Sequence, residues 1–248
     1  MSSFPNRSRN KITSDQAIAN ASKIIQARFV SRELLLEKSP VPIPGNFGLQ
    51  FPTYIQNLFG PEEFVHVTRA VHAGKGLRTR PSSSRVAKTR RQWSVIWNPE
   101  YMDLYFPEPG SFMGLNPVLS DDSSGYAFGD IDVARFDYVL VESDILPLDL
   151  QRNLLGCLAI PIAALIDSGG KSIHAIVRVG AADATDYKEK VATLFKFLVK
   201  VGADPNTKNP GRLTRLPGAI REGEKSGRRR QELLFLNPAA DGTPIIEL

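Results

Sequence analysis

Two acids one residue apart, Glu142 and Asp144, follow the apolar run Tyr138-Val-Leu-Val141. The Val and Tyr content of 137–144 predicts a strand, in which alternate residues share a face. Tyr138, Leu140, Glu142 and Asp144 then point one way, and the two carboxylates emerge together at the strand's C-terminal end. Carboxylates so placed repel each other unless protons or cations intervene, and hard divalent cations with oxygen ligands, Mg²⁺ or Mn²⁺, suit them. A strand end emerging into solvent looks the same, so the pair alone leaves both readings open.

A second group is Asp167-Ser-Gly-Gly-Lys-Ser-Ile-His174. It differs from a phosphate-binding P-loop, Gly-x4-Gly-Lys-Ser/Thr, because Leu165 stands where the first glycine belongs. A P-loop also opens a helix, whereas Ile173, Ala175, Val177 and Val179 alternate with Ser172, His174, Ile176 and Arg178, the period of a strand. What remains is a glycine turn feeding a strand that projects Ser172 and His174 from one face, with Lys171 just before them. Hydroxyl, imidazole and ammonium donors suit a triphosphate. A third segment supplies Asp204 after a helix, then Arg212 and Arg215, whose planar forks suit phosphate.

The elements that must hold these residues are legible to different degrees. A strand over 137–144, a helix over 148–158, strands over 161–167 and 172–179, and an amphipathic helix over 185–202 stopped by Gly202 follow in order, with short strands over 213–220 and 232–236. That order is the split βαβ pattern, an α+β sheet with helices on one face. Upstream, the periodicity predicts a helix over 14–38 opened by Ser14-Asp15, a Pro/Gly-rich connector over 40–48, a short helix over 61–71 entered by Pro61-Glu62-Glu63, and strands over 92–97 and 112–119. Residues 72–91 read as a mobile basic loop and 121–129 as a loop.

The chain has 248 residues, with 31 Lys and Arg against 26 Asp and Glu, a net charge of +5. That small value hides segregation. From Arg69 to Arg91 there are basic residues and no acids, whereas from Glu100 to Asp149 eleven acids face Arg135 alone. Basic surfaces suit polyanions, and acids flanked by bases suit cations held beside phosphates. At 42% hydrophobic and 23% charged the composition is globular rather than disordered. One cysteine, Cys157, excludes an intrachain disulfide or a multi-cysteine metal site and fits a reducing compartment. The longest apolar run, Leu154 to Ile166, contains Pro161 and is too short to span a bilayer, and the N-terminus lacks the apolar core of a secretory signal. A soluble cytoplasmic protein is expected.

Taken in order, the acid pair Glu142 and Asp144, the strand motif Ser172-Ile-His174 and the acid Asp204 followed by Arg212 and Arg215 resemble the motifs of the archaeo-eukaryotic primase (AEP) superfamily, the PrimPol-type primase-polymerases, particularly phage and plasmid forms. The resemblance covers 136–221, and Glu142 departs from it, aspartate being commoner there. It implies an α+β fold with an RRM-like catalytic sheet in 130–248 and a smaller N-terminal α/β part in 1–129. It further implies a DNA primase-polymerase that carries out template-directed nucleotidyl transfer from nucleoside triphosphates in DNA replication. Glu142, Asp144 and Asp204 would be catalytic and hold two Mg²⁺ or Mn²⁺ ions. Lys171, Ser172 and His174 would contact the nucleotide phosphates, assisted by Arg212 and Arg215.

Single-stranded DNA template would lie on Arg78, Arg80, Arg85, Lys88, Arg90, Arg91, Arg228, Arg229 and Arg230, and a replicative helicase is a further partner such enzymes imply. The setting implied is a bacterial cytoplasm, with the gene on a phage or plasmid. Two rival readings use the same residues. A metal-dependent nuclease also wants clustered carboxylates and a lysine, but Gly169 rather than an acid stands two residues before Lys171. A non-catalytic DNA-binding replication initiator has no need of carboxylates beside phosphate.

Overall fold

The computed structural model describes residues 12–72, 79–106, 110–121, 128–223 and 227–246. Thr13 opens helix α1 (Ser14–Ile25) through a capping box with Gln16. Gln26 and Ala27 then take left-handed backbone, and α2 (Arg32–Glu37) starts afresh under the Ser31 cap. The single helix expected over 14–38 is therefore two. The break lets Val30 turn fully into the core, with its N–H donated to Asn153 Oδ1 at 2.8 Å.

Helix α3 (Gln50–Leu58) leads into strands β1 (Phe64–His72) and β2 (Thr79–Thr89), then helices α4 (Arg90–Ile96) and α5 (Met102–Tyr105) and strand β3 (Ser111–Gly114). Three expectations fail in this stretch. Residues 61–71 are not a helix: Pro61-Glu62-Glu63 makes a turn closed by Glu63 on the Gly60 N–H, and Val65 and Val67 alternate into the core from a strand. The basic segment 72–91 is not a loop where it is described, because 79–89 pairs with β1 as an edge strand. Its charges suit an edge, where they discourage further strand pairing. Residues 92–96 belong to a helix, which Trp97 ends, because Thr89 and Gln92 form a capping box that turns Trp93 inward. The strand expected over 112–119 ends at Gly114. Of the loop expected over 121–129, residues 122–127 lie outside the described residues.

The rest follows the expected order: β4 (Phe136–Val141), α6 (Leu148–Cys157), β5 (Ile162–Asp167), β6 (Ile173–Ala181) and α7 (Ala184–Leu198), with Gly202 at φ 92° ending the helical segment. Then come β7 (Leu213–Arg215), the hairpin β8 (Ile220–Gly223) and β9 (Gly227–Arg230), and β10 (Glu232–Leu236). One antiparallel sheet has the order β2-β1-β3-β7 and the other β10-β5-β6-β4. In the second sheet β6 lies between β4 and β5, and β5 between β6 and β10, giving two interleaved split βαβ units. The fold is α+β. Strand β7 crosses the division drawn at residue 129, since it pairs with β3 of the N-terminal sheet.

Both faces of the second sheet are buried, which explains its nearly continuous apolar strands. Val139, Val141, Ala175 and Val177 pack with Leu154, Val191 and Phe195 of the helices. Tyr138, Leu140, Ile166 and Ile176 face Val65, Val67 and Met113 of the first sheet. At about 25 cal/mol per Å² of buried apolar surface, this double-sided burial is what fixes the relation of the two sheets.

Candidate functional site

The site lies where one end of β4 and β6 meets β7. Strand β4 stops at Val141, earlier than the 144 expected, because the Glu142 carbonyl leaves the ladder to accept the Asp204 N–H at 2.8 Å. That bond brings the segment after α7 against the acid pair. The register Leu140↔Ile176 and Val141↔Ala175, carried one residue further, sets Glu142 beside His174. His174 and Ser172 project from the face turned toward the first sheet, as the alternation predicts.

The turn between β5 and β6 needs its glycines. Gly169 has φ 67° and donates its N–H to Asp167 Oδ1 at 2.8 Å, and a Cβ on Gly170 would collide with the Arg221 guanidinium. Beneath the site, buried Gln151 of α6 joins its two halves. Its amide donates to the carbonyls of Leu146 at 2.8 Å, Lys171 at 3.0 Å and Ser143 at 3.2 Å, and its oxygen accepts the Ile173 N–H at 2.8 Å.

Glu142 is the electrostatic centre. Its Oε2 receives His174 Nε2 at 3.0 Å and the Ser172 hydroxyl at 3.2 Å, while Arg212 Nη2 stands 3.9 Å from Oε1. Burial alone would raise its carboxyl, but the hydrogen bond and positive field of His174, then Arg212 and the Ser172 hydroxyl, hold it at about 2. At Nδ1 the His174 ring meets the Thr214 hydroxyl at 3.0 Å and the Arg215 N–H at 3.4 Å, so β7 of the other sheet orients the imidazole. Asp144 is half exposed in the bend after β4, where Lys171 Nζ lies 3.2 Å from its Oδ1. It therefore lies in a bend beyond the strand rather than on the strand. Asp204 turns its carboxylate onto its own 3-10 turn, accepting from Asn206 N at 2.9 Å and Nδ2 at 2.8 Å.

Comparison with solved structures finds a similar architecture. The AEP domain of the primase-polymerase (PrimPol) of cyanophage S-2L superposes with a TM-score of 0.50 at 14% identity, covering 77% of this chain and 91% of that domain. The α+β fold is AEP-like. No family model and no curated protein sequence matches the chain. At that identity the likeness carries the fold, and the chemistry rests on the residues of this chain.

Within the AEP-like fold, the acids have the oxygen chemistry that a hard divalent cation prefers. Glu142 and Asp144 are two residues apart, and Asp204 is tied to Glu142 through the backbone. Among the described residues, however, no three or more His, Cys, Asp or Glu side chains are grouped closely enough to hold a metal ion. The donors fit in kind, but other groups of the chain occupy them: His174, Ser172 and Arg212 at Glu142, Lys171 at Asp144, and the Asn206 amides at Asp204.

The arginines sort into two sets. Arg215 is buried, with its guanidinium 3.9 Å from the centroid of the Phe112 ring. Burial and the nearby charge of Arg221 bring it down to about 9, against the pull of Glu142. Arg221 donates Nη1 to the Ser168 carbonyl at 3.0 Å, its Nε is buried with no hydrogen-bond partner, and burial lowers its pKa although Asp167 and Glu142 oppose this. Sequence reasoning missed Arg221 as a site residue. The only sequence signal was the glycine pair, whose demand for close approach does not say by what.

The residues expected to hold template are scattered. Arg78 lies outside the described residues, and only the backbone of Arg85 is described, paired with Thr68. Arg80 is exposed and Lys88 half-buried on β2; Arg90 donates its N–H to the Glu63 carbonyl, and Arg91 pairs with Glu62 at 2.5 Å. Arg228 is exposed on β9. Arg229 pairs with Asp167 at 3.1 Å, and Arg230 pairs with Asp103 at 2.6 Å, donates to the Gly218 carbonyl at 3.0 Å and lies over Phe47. Among the described residues no helix is long and apolar enough to cross a membrane.

Proposed function

We propose that this protein is a primase-polymerase that transfers nucleotidyl groups from nucleoside triphosphates to a growing strand under the direction of a DNA template. The observation that supports it best is the meeting of Glu142 with Ser172 and His174 at 3.0–3.2 Å, with Arg212, Thr214 and Arg215 closing in from the other sheet. A buried carboxylate and groups suited to phosphate thus meet at one point of an AEP-like fold. In this reading Glu142, Asp144 and Asp204 hold two divalent ions, Mg²⁺ or Mn²⁺. Bound there, such ions would activate the attacking 3′-hydroxyl and steady the pyrophosphate leaving group.

The protein's own groups do the rest. Ser172, His174 and Lys171 bind the triphosphate, with Arg212, Arg215 and Arg221 neutralising its charge. Thr214 and the Arg215 N–H, at Nδ1, keep the other imidazole nitrogen turned toward Glu142. Arg80, Lys88 and Arg228 offer exposed or half-exposed charge to template phosphates, where they would give affinity without base specificity. A helicase partner and a phage or plasmid origin belong to the same reading.

The test is extension of a labelled primer on single-stranded template with Mg²⁺ or Mn²⁺ and all nucleotides. Product lengthening is expected, degradation would instead identify a nuclease, and the absence of any product would sink the proposal. Asp144→Asn should abolish extension while DNA binding persists.

A further inference from the structure

The carboxylates of the site are not waiting for a cation; each is engaged. Glu142 has His174, Ser172 and Arg212, Asp144 has Lys171, and Asp204 has its own turn. On the proposed function the same Lys171 and His174 bind phosphate. Each therefore has two possible anionic partners, one belonging to the protein and one to a ligand. The pair Lys171–Asp144 is the most open of these contacts, at 70% and 52% side-chain exposure, and joins the glycine turn to the bend after β4.

We propose that Lys171 is an internal counter-ion that must leave Asp144 when a polyphosphate binds, so that the site takes a divalent cation and a polyphosphate as a coupled pair and either alone weakly. This rests on the proposed function and adds to it an order of events. A polyphosphate draws Lys171 away and leaves the Asp144 carboxylate for a cation. Conversely, a cation at Asp144 releases Lys171 for phosphate. The coupling is reciprocal by thermodynamic necessity.

The two ligands can be titrated separately, which avoids chelation of one by the other. Mn²⁺ binding to the full chain is read from the electron paramagnetic resonance of free Mn²⁺, and binding of a nonhydrolysable nucleoside triphosphate in EDTA is read by calorimetry. Lys171→Ala should tighten Mn²⁺ by about two- to fivefold, the range for loss of one exposed ion pair, and weaken the triphosphate. Asp144→Asn should do the reverse for the triphosphate, tightening it in EDTA by about the same factor. Lys171→Arg, which keeps the pair, should restore both affinities. An Mn²⁺ affinity unchanged or weakened in Lys171→Ala, or a triphosphate affinity unchanged or weakened in Asp144→Asn, overturns the counter-ion role while leaving the proposed function intact. A wild-type chain that binds neither ligand, separately or together, overturns the proposed function as well.

Discussion

Gln151 offers the sharpest test of how the site is held together. It is 2% exposed, and its amide is the point where the bend 143–146 and the turn entering β6 are joined. Gln151→Leu keeps the volume and removes every hydrogen bond. The Ile173 N–H, within a buried strand, then has no acceptor, a cost of about 1–3 kcal/mol. Loss of the two shorter amide bonds, to Leu146 and Lys171, adds about 0.5–1.5 kcal/mol each, so a total near 3 kcal/mol is expected.

With an m-value of about 3 kcal/mol/M for a chain of this size, the urea midpoint followed by far-UV circular dichroism should fall by about 1 M. Hydrogen exchange should show the Ile173 amide losing protection before the rest of β6. Gln151→Glu should be worse, because it sets a carboxylate against three carbonyl oxygens. A midpoint within about 0.3 M of wild type, with Ile173 still protected, would show that the two halves are held together by something else.

Other outcomes follow from the same geometry. Gly170→Ala forces a methyl into the Arg221 guanidinium, a movable group, so the melting temperature should hardly change while triphosphate affinity falls about tenfold. Unchanged affinity would take Arg221 out of the site. Glu63, bonded to Arg135 at 2.6 and 2.8 Å, is held below the ordinary carboxylate range by that pair, although burial opposes it. Its contribution to stability is therefore complete above the ordinary carboxylate pKa and lost as pH falls through its lowered value. Glu63→Gln should cost about 1 kcal/mol at neutral pH, with the gap closing in acid, and a gap independent of pH would refute the pairing. Arg230→Ala should lower the urea midpoint through loss of Asp103 and the Gly218 carbonyl, whereas Arg80→Ala should leave stability alone and reduce the salt dependence of DNA binding.

Much of the second sheet was legible in the sequence because its cues are local. Strands β5 and β6, the Ser168-Gly-Gly turn and α7 with its Gly202 stop each announce themselves within about fifteen residues, through period and turn chemistry. The first sheet was misread because its cues compete. An edge strand rich in Arg and Ser carries no apolar period, and the run Trp93-Ser-Val-Ile96 after Thr89 hides a helix whose evidence is a capping box rather than a pattern.

By itself, the sequence determined which acids and which phosphate donors exist and that Ser172 and His174 share a strand face, since alternation is a property of the chain. Only the tertiary structure decided their partners. Thr214 reaches His174 across 40 residues and Gln151 reaches Ile173 across 22. Asp204 meets the backbone of Glu142, and Arg221 presses on Gly170. It also set Asp144 against Lys171. Hydrogen bonds and ion pairs between distant segments have no periodicity to read, and they form where the burial of two sheets against each other happens to place them.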